Sequence, residues 1–457
     1  MHHWTPDNLK NHAVTVVGLG KSGLAAARFC RGAGAAVTVS EAGEAEGFST
    51  AVAQLEPAGV HLEFGPHRPE TFHKADLIIL SPGVPHTLPP FEAARRRGVP
   101  VIGEMELASR FIREPIAAVT GTNGKTTTTE LLGAMLRASG MTVFVGGNIG
   151  NPLIEYVEGG QSADWLVVEV SSFQLDTMTT FHPRIGCLLN ISADHLDRYP
   201  DFEAYAASKW RLFQNHTAGD TAIVNGALLP KSPPHALPAG KTLFFNGAPQ
   251  GYEPSAIVQD SALIMETGSG KAPVTIDLKV MSLVGRHNEE NVAAAGLAAV
   301  AAGASQPGIQ TALDRFRGLP HRISLVREVK GVRYYDDSKA TNVDAVARAL
   351  EGFDRPVVLI MGGRDKGGSY QGLEDLLRRK VSLLVVLGEA APRITTALHG
   401  IVPIQPAADM AAAVRLAAGC ARAGEVVLLS PACSSFDMYA SYHERGEDFC
   451  RHVQQLS

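Results

Sequence analysis

The chain has 457 residues, of which 45% are hydrophobic and 19% charged, a composition that excludes intrinsic disorder as its overall state. Its 41 Lys and Arg against 46 Asp and Glu give a formal net charge of −5. This charge excludes a general nucleic-acid binder, which is usually basic. At roughly 150 residues per domain, the length predicts about three domains.

Membrane insertion and export are also not expected. The longest apolar run, residues 292–304, is shorter than the roughly 18 residues that a membrane-spanning helix needs. The first ten residues lack the basic-then-apolar pattern of a signal peptide. The five cysteines form no CxxC pair, so neither a disulfide framework nor a metal cluster is predicted. These features predict a cytoplasmic protein.

The first unit of the chain predicts a pyrophosphate site. Residues 13–17 form a β-rich run, GLGKSG follows at 18–23, and an Ala-rich helical stretch comes next. Further strands are predicted at 37–40 and 76–80. The G-x-G-x-x-G pattern between strand and helix is the dinucleotide fingerprint, although the same turn could bind NAD, another pyrophosphate or no ligand. Glu41 stands where the ribose-binding acid is expected, or is an ordinary exposed glutamate.

The second unit carries the strongest signal, TGTNGKTT at 120–127, after a predicted strand at 116–119 and before a helix to about residue 139. A Gly-rich turn at a helix N-terminus offers backbone N–H groups to phosphate oxygens. Lys125 can then reach the β- and γ-phosphates, and the Thr126 hydroxyl can bind Mg²⁺. Val119 replaces the first glycine of the usual spacing. The alternative is an ordinary strand–turn–helix corner.

Two polar motifs follow predicted buried strands at 165–170 and 185–190. Glu169 lies on an otherwise apolar strand, where a carboxylate is costly unless it is paired or binds a metal. Asp194, His195 and Asp197 follow the next strand as candidate Mg²⁺ partners. The alternatives are a buried ion pair and a polar turn with a satisfied histidine. Composition alone predicts that Lys209 is a solvated surface lysine.

The third unit predicts strands at 333–335, 357–361, 382–387 and 425–430, after a hinge at 318–322. The motifs DSKATN, GGRDKGG and SPACSSFD follow three of these strands. Their cations and hydroxyls fit anion recognition at strand C-termini, or they are plain loops. Overall, the pattern predicts an α/β protein with parallel sheets in three domains, at residues 1–102, 103–318 and 319–457.

Taken in order, the motifs resemble those of the Mur ligases of peptidoglycan synthesis over essentially the whole chain. They are TGTNGKTT, GGNIG (146–150), EVSSFQL (169–175), NISADHLDRY (190–199), GLPHR (318–322), DDSKATN (336–342) and SPACSSFD (430–437). The resemblance implies an N-terminal Rossmann-like UDP-binding domain, a central P-loop-type ATPase domain and a C-terminal Rossmann-like domain that binds amino acid and nucleotide.

The resemblance also implies an activity. Mur ligases are ADP-forming ligases that activate a carboxylate with ATP as an acyl phosphate, which an amine then attacks. They make cell-wall precursors and so serve cell shape and division. SSFQL and SPACSSFD imply the member that adds D-glutamate to UDP-N-acetylmuramoyl-L-alanine, and the DNPR motif of a relative is absent. These small molecules are the expected partners of a monomer that binds no nucleic acid.

The family's functional residues map onto this chain as follows. The catalytic set is Lys125, Glu169, His195 and Lys209. The ATP-binding set is Gly121, Thr122, Asn123, Gly124, Lys125, Thr126, Thr127, Asn288, Asn291, Arg322, Asp337 and Lys339. The UDP-substrate set is Gly20, Lys21, Ser22, Ser81, Gly83, Asn148 and His195. The glutamate set is Thr341, Lys366, Ser435 and Tyr442.

The resemblance further implies two Mg²⁺ sites, served by Thr126, Glu169, His195 and a carbamylated Lys209. Two positions depart from the family pattern. Tyr442 stands where relatives often have Phe, and Ser40-Glu41 stands where the family's uracil-contacting acid is expected. Because the candidate residues lie on both sides of the 318–322 hinge, we expect the C-terminal domain to swing onto the ATP domain.

Other functions remain open from the sequence. The GLGKSG motif alone would suit a dinucleotide-dependent oxidoreductase, but that hypothesis leaves TGTNGKTT unexplained. A folylpolyglutamate synthase-like ligase or an L-glutamate-adding variant would share the acyl-phosphate chemistry. A non-catalytic nucleotide-binding regulator is disfavoured because Lys125, Thr126, Glu169 and His195 are all present.

Overall fold

The computed structural model describes residues 9–160, 162–229, 236–266, 268, 272–279, 281, 283, 285–367 and 369–457. The expectation that no signal peptide is present rests on the first ten residues, and residues 1–8 lie outside the described part. Gly368 of GGRDKGG also lies outside it. The described chain is an α/β protein with three sheets in which parallel pairs dominate. The predicted fold class is therefore confirmed.

The first sheet is entirely parallel and has the strand order β3-β2-β1-β4-β5. Its strands are β1 (Ala13–Val17), β2 (Ala36–Glu41), β3 (His61–Phe64), β4 (Leu77–Leu80) and β5 (Val101–Gly103). Its helices are α1 (Lys21–Gly32), α2 (Ser49–Leu55), α3 (Pro69–His73) and α4 (Pro89–Arg96).

The strand order of the first sheet reverses between β1 and β4, and a crevice opens at the C-termini of strands at such a point. GLGKSG leaves β1 there, and the Ser81 hydroxyl after β4 donates to the Gly18 carbonyl at 3.0 Å. Gly18 has a φ of +86°, and a Cβ on Gly23 would lie 1.9 Å from the Gly18 carbonyl oxygen. Both glycines are therefore required by the turn.

The central sheet has the order β14-β13-β12-β11-β10-β9-β6-β8-β7. Its parallel part is β6 (Ile116–Thr120), β7 (Val143–Gly147), β8 (Trp165–Glu169), β9 (Ile185–Leu188), β10 (Thr221–Asn225) and β11 (Lys241–Phe245). Beyond β12 (Ala256–Gln259), β13 (Ala262–Met265) and β14 (Val274–Asp277) add antiparallel strands. The predicted parallel sheet is therefore extended at this edge by two antiparallel strands.

Helices cover the central sheet, and some of them line the candidate active site. They are α5 (Glu104–Ser109), α6 (Lys125–Ala138), α7 (Leu153–Glu158), α8 (Ser172–Leu175), α9 (Phe202–Trp210), α10 (Arg286–Ala301) and α11 (Gln306–Arg315). The Ala-rich α10 buries most of its length against the sheet, because small side chains let helix and sheet approach closely.

The third sheet has the order β15-β16-β20-β17-β18-β19, in which only β15 and β16 pair antiparallel. Its strands are β15 (Ser324–Val329), β16 (Val332–Asp336), β17 (Val357–Gly362), β18 (Val381–Leu387), β19 (Ile404–Pro406) and β20 (Val426–Leu429). Its helices are α12 (Val343–Glu351), α13 (Glu374–Lys380), α14 (Ala391–Ala397), α15 (Met410–Cys420) and α16 (Tyr442–Gln454).

A buried carboxylate ties the segment after the first sheet to the central domain. Glu106 on α5 accepts from the backbone N–H groups of Thr179, Thr180 and Phe181, from both threonine hydroxyls and from Arg110. Burial acts to raise its pKa, but these hydrogen bonds outweigh burial and lower the pKa. Glu106 therefore stays ionised and anchors the 179–181 turn.

We expect Glu106→Ala to lower the free energy of unfolding by about 2–4 kcal/mol, because it leaves the partly buried Arg110 and the donors of the 179–181 turn without their shared acceptor. In scanning calorimetry, Tm should fall by roughly 10 °C at about 2–4 °C per kcal/mol. The exposed Glu46 is the matched control, and Glu46→Ala should shift Tm by no more than about 1 °C. Equal Tm values for both variants would contradict this account of Glu106.

Candidate active site

The TGTNGKTT segment forms a turn that is open at the N-terminus of α6. Gly124 has a φ of +85°, and a Cβ there would lie 2.2 Å from the Asn291 Oδ1 atom of α10. No described side chain caps the first turn of α6, so its N–H groups face a binding space. Lys125 Nζ donates to the carbonyls of Gly121 and Thr122 at 2.9 and 2.8 Å. Burial lowers the pKa of Lys125.

Glu169 ends β8 beside this turn and is 2% exposed. Its Oε1 atom accepts from Asn148 Nδ2 at 2.8 Å. Its Oε2 atom is buried without a hydrogen-bond partner among the described residues. A buried carboxylate oxygen without a partner is costly, so this atom points to a ligand rather than to a structural ion pair. The alternative that Glu169 forms a buried ion pair is not observed among the described residues.

Lys209 is buried, with 1% of its side chain surface exposed. The composition-based expectation of a solvated lysine was wrong. Its Nζ atom donates to the Gly121 carbonyl at 2.9 Å and lies 4.5 Å from the centre of the Tyr205 ring. Burial, with the positive charge of Lys125 nearby, lowers its pKa well below the ordinary value. The neutral amine is therefore easier to form at Lys209 than at an exposed lysine.

His195 lies after β9 with a φ of +55°, a conformation that costs energy in a non-glycine residue. Its ring packs edge-on against Phe173 with the ring centres 4.8 Å apart. Its Nε2 atom is 3.7 Å from Asp194 Oδ2. Burial lowers the pKa of His195 to about 4 despite this carboxylate, so the imidazole is neutral near pH 7 and can bind a ligand through a ring nitrogen.

Arg322, the last residue of the 318–322 hinge, reaches the same turn, and Asp337 and Lys339 follow it in the C-terminal part of the chain. Arg322 donates to the Thr126 hydroxyl at 2.6 Å. Lys339 Nζ lies 3.9 Å from the centre of the Tyr442 ring, and burial lowers the pKa of Lys339 to about 7. Asp337 accepts from Ser430 at 2.9 Å, and burial raises its pKa to about 7.

A cleft between the central and C-terminal sheets joins most of the predicted nucleotide residues. Eight of its lining residues belong to the ATP set that the resemblance implies: Asn123, Gly124, Thr127, Asn288, Asn291, Arg322, Asp337 and Lys339. Leu283, Ile323 and Arg348 line it with them. The apolar members suit a flat base and the cations suit phosphates, although Lys125 and Thr126 lie at its border rather than in its lining.

The four predicted glutamate residues are not equally close. Lys366 Nζ lies 3.4 Å from the Thr341 hydroxyl and 3.5 Å from Asp194 Oδ1, and Thr341 and Lys366 line one pocket. Ser435 is buried in the loop after β20. Tyr442 begins α16 and lies against Lys339, so the structure joins it to the predicted nucleotide residues.

The N-terminal candidates lie at the crevice of the first sheet. Lys21 reaches across to the central domain, where its Nζ donates to the Gly150 carbonyl at 2.6 Å. The Gly83 carbonyl accepts from Arg198 at 3.0 Å. Gly20 is the N-cap of α1, and Ser22 lies in the first turn of this helix. Glu41 Oε2 accepts from the Leu19 N–H at 2.6 Å, so Glu41 closes the GLGKSG turn and is not an ordinary exposed glutamate.

Sequence reasoning missed polar residues that hold the site together. Asn190 exchanges hydrogen bonds with the Asn123 backbone. Arg445 is buried and donates to the carbonyls of Ser338 and Cys433. Asp344 accepts from Asn123 across the cleft. The partners of all three residues include groups distant in sequence, so no local signal marks them.

The three parts of the chain match three family models. Residues 12–103 match the Mur ligase MurD-like N-terminal domain, residues 119–299 the Mur ligase middle domain, and residues 321–433 the Mur ligase glutamate ligase domain. The UDP-N-acetylmuramoylalanine–D-glutamate ligase of Desulfatibacillum aliphaticivorans is 53% identical over 98% of this chain and 99% of its own length. The chain belongs to the Mur ligase family.

Other Mur ligases agree with this assignment. The UDP-N-acetylmuramoylalanine–D-glutamate ligase of Desulfosudis oleivorans is 50% identical over 99% of this chain and 98% of its own length. Among solved structures, the Mur ligase fold of this chain is similar to that of MurF from Thermotoga maritima in complex with ADP. The TM-score is 0.60 at 16% identity, over 99% of this chain and 97% of that one.

A folylpolyglutamate synthase matches a smaller part of this fold. The enzyme from Mycobacterium tuberculosis has a TM-score of 0.54 at 13% identity and covers 77% of this Mur ligase chain. The match of residues 12–103 to a MurD-like N-terminal domain separates the chain from that alternative. The same match accounts for GLGKSG without an oxidoreductase.

Two features are absent from the described part of the chain. No described helix is both long and apolar enough to cross a membrane. Within the same part of this Mur ligase, no group of three or more His, Cys, Asp and Glu side chains could hold a metal ion. A Mg²⁺ that is bound together with nucleotide needs no such group, because phosphate oxygens and a hydroxyl complete its shell.

Proposed function

We propose that this Mur ligase adds D-glutamate to UDP-N-acetylmuramoyl-L-alanine with ATP, through an acyl phosphate. The observation that carries the proposal is the Glu169 carboxylate, whose buried Oε2 atom has no described partner and which lies beside a phosphate-binding turn. Relatives at 50–53% identity that carry the name of this ligase support the choice of substrates.

Phosphoryl transfer is the first step. A carboxylate oxygen of the substrate attacks the γ-phosphorus, and the bond to the β–γ bridging oxygen breaks to release ADP. Such a step depends on positioning and on cations more than on a nucleophilic side chain. The open N-terminus of α6 and Lys125 hold the phosphates, and Arg322, Lys339 and the asparagines Asn288 and Asn291 hold the nucleotide across the cleft.

The residues present fit Mg²⁺, because the free Glu169 oxygen and the Thr126 hydroxyl are both oxygen ligands. When bound, Mg²⁺ supplies positive charge that neutralises the phosphate oxygens as negative charge develops on them. Glu169 and Thr126 would hold one ion, with His195 and a modified Lys209 serving a second. Arg322 donates to Thr126 in this structure and would give way to such an ion.

We include carbamylation of Lys209 in the proposal. The reaction joins the neutral amine to CO₂ and releases one proton, giving an anionic carbamate. Burial lowers the pKa of Lys209, which supplies the neutral amine. A carbamate in place of an ammonium would also remove a second buried positive charge beside Lys125 and provide oxygen ligands for Mg²⁺.

Amide formation is the second step. The D-glutamate amine attacks the acyl carbon, and phosphate leaves with the oxygen that the carboxylate contributed, while the amine loses a proton. Thr341, Lys366 and Ser435 would bind the glutamate carboxylates, and Tyr442 contributes from beside Lys339. Asn148 and neutral His195 would orient the muramoyl substrate, whose UDP group lies on Gly20, Lys21, Ser22, Ser81 and Gly83.

We also propose the domain limits 1–102, 103–318 and 319–457, a monomeric state, a cytoplasmic location, and a swing of the C-terminal domain about residues 318–322. The family models match residues 12–103, 119–299 and 321–433, which lie inside these limits to within one residue. The swing is supported by polar contacts that join the central and C-terminal parts directly, such as Arg322 with Thr126.

Phosphate release from ATP tests the proposal. With UDP-N-acetylmuramoyl-L-alanine present, we expect release that depends on D-glutamate and is near background with L-glutamate or no amino acid, because only the D-isomer directs its amine at the acyl phosphate. Release with L-glutamate but not with D-glutamate would show that L-glutamate is the acceptor. No release with either isomer would contradict the proposed function.

A further inference from the structure

The N-terminal turn of α12 is attached to the central domain by a cluster of polar groups. Asp344 Oδ2 accepts from Asn123 Nδ2 at 2.7 Å and from the Ser192 hydroxyl at 3.1 Å. Asn342 Nδ2 donates to Asp194 Oδ2 at 2.9 Å. Asn123 belongs to the TGTNGKTT turn, whereas Asn342 and Asp344 lie at the start of α12 in the C-terminal part of the chain.

The local structure of α12 fixes the direction of these contacts. The Asn342 side chain caps α12 by accepting from the Ala345 N–H at 2.8 Å, and Asp344 in the same turn also accepts from Arg348 at 2.9 Å. A carboxylate is favoured at a helix N-terminus, and Asp344 lies in the first turn of α12. It then presents its Oδ2 atom to two donors of the central domain.

Thr341 lies immediately before this attached turn, and its hydroxyl is 3.4 Å from Lys366 Nζ. Movement of α12 relative to Asn123 therefore moves Thr341 and changes its contact with Lys366. The contact made by Asp344 thus sets how well Thr341 and Lys366 are placed to bind the amino acid.

We propose that Asp344 is a positioning residue that sets the affinity for the amino-acid acceptor by holding Thr341–Asp344 against Asn123 and Ser192. The inference rests on the proposed function, because it needs an acceptor held by Thr341 and Lys366. Asp344 itself touches no reacting atom in this account.

The test is a double-mutant cycle on the full chain, with ADP formation as readout at saturating ATP and UDP-N-acetylmuramoyl-L-alanine. We expect Asp344→Ala to raise KM for D-glutamate about tenfold with kcat changed less than about threefold, which is the pattern for lost binding. Ser192→Ala should raise KM about threefold. Because the two side chains share one contact, the double variant should stay near tenfold instead of reaching about thirtyfold.

The matched control is Asp409→Ala. Asp409 is also an aspartate at a helix start in the C-terminal domain, where it accepts from the Ala412 N–H at 2.7 Å, so its loss removes a helix cap elsewhere in that domain. KM for D-glutamate should stay within about 1.5-fold of wild type. Asp344→Asn keeps an acceptor oxygen, so its KM for D-glutamate should lie within about threefold of wild type. This variant also tests the proposal if Asp344→Ala does not fold.

The outcomes separate the two proposals. If wild type shows no D-glutamate-dependent turnover, the proposed function fails. If wild type is active and Asp344→Ala and Asp344→Asn leave KM unchanged, or if the effects of Asp344→Ala and Ser192→Ala multiply, only the positioning role of Asp344 is overturned.

Discussion

Lys125→Ala should reduce ligase turnover by at least about a thousandfold, the upper range for loss of one group that stabilises developing charge. In this structure Lys125 Nζ is within 2.9 Å of the Gly121 and Thr122 carbonyls and is therefore folded back onto its own turn. Burial lowers its pKa, and the arrival of phosphate oxygens would favour its charged form. The variant removes the positive charge that Lys125 would place beside the phosphate oxygens.

Steady-state phosphate release at saturating substrates measures this effect. Lys241→Ala, which removes an exposed lysine of β11, should keep wild-type turnover. A melting curve should show that Lys125→Ala is folded, because only two hydrogen bonds within the turn are lost. A folded Lys125→Ala enzyme with turnover within tenfold of wild type would remove Lys125 from the catalytic set.

Lys209→Ala should also lose about a thousandfold in turnover, and short carboxylic acids such as acetate should restore part of it. A small carboxylate can enter the space left by the buried side chain and supply the oxygens that a carbamate would have provided. Lys209→Arg should be equally slow but should not be rescued, because its side chain fills that space. Turnover with and without acetate for each variant is the measurement.

The rescue separates carbamylation from a role as a buried ammonium. Lys209 donates to the Gly121 carbonyl, so a plain structural role would make Lys209→Ala slow with no response to acetate. Full activity of Lys209→Ala without any added acid would contradict both roles.

Much of the fold follows from patterns within single segments. Strands β6, β8 and β9 are continuously apolar, so their positions were predicted to within two residues. The antiparallel strands β13 and β14 were not predicted. They are only four residues long and include half-exposed positions, and β12 beside them leaves Ile257 49% exposed. Short mixed runs of this kind carry little periodic signal.

The site was predictable where one segment carries the chemistry. TGTNGKTT signals its own turn, and Glu169 stands out as a carboxylate on an apolar strand. The state of Lys209 was not predictable from composition, because its burial depends on Gly121, 88 positions away. The contact of Arg322 with Thr126 spans 196 positions. Such pairs form only when separate sheets pack, which local sequence does not encode.

The central claim is that the substrate carboxylate becomes an acyl phosphate, and an isotope transfer tests it most directly. UDP-N-acetylmuramoyl-L-alanine carrying ¹⁸O in its terminal carboxylate would be incubated with ATP, Mg²⁺ and D-glutamate, and the released phosphate analysed by mass spectrometry. We predict one ¹⁸O atom in each phosphate, because the attacking carboxylate oxygen leaves with phosphorus. Amide product accompanied by unlabelled phosphate would contradict the account.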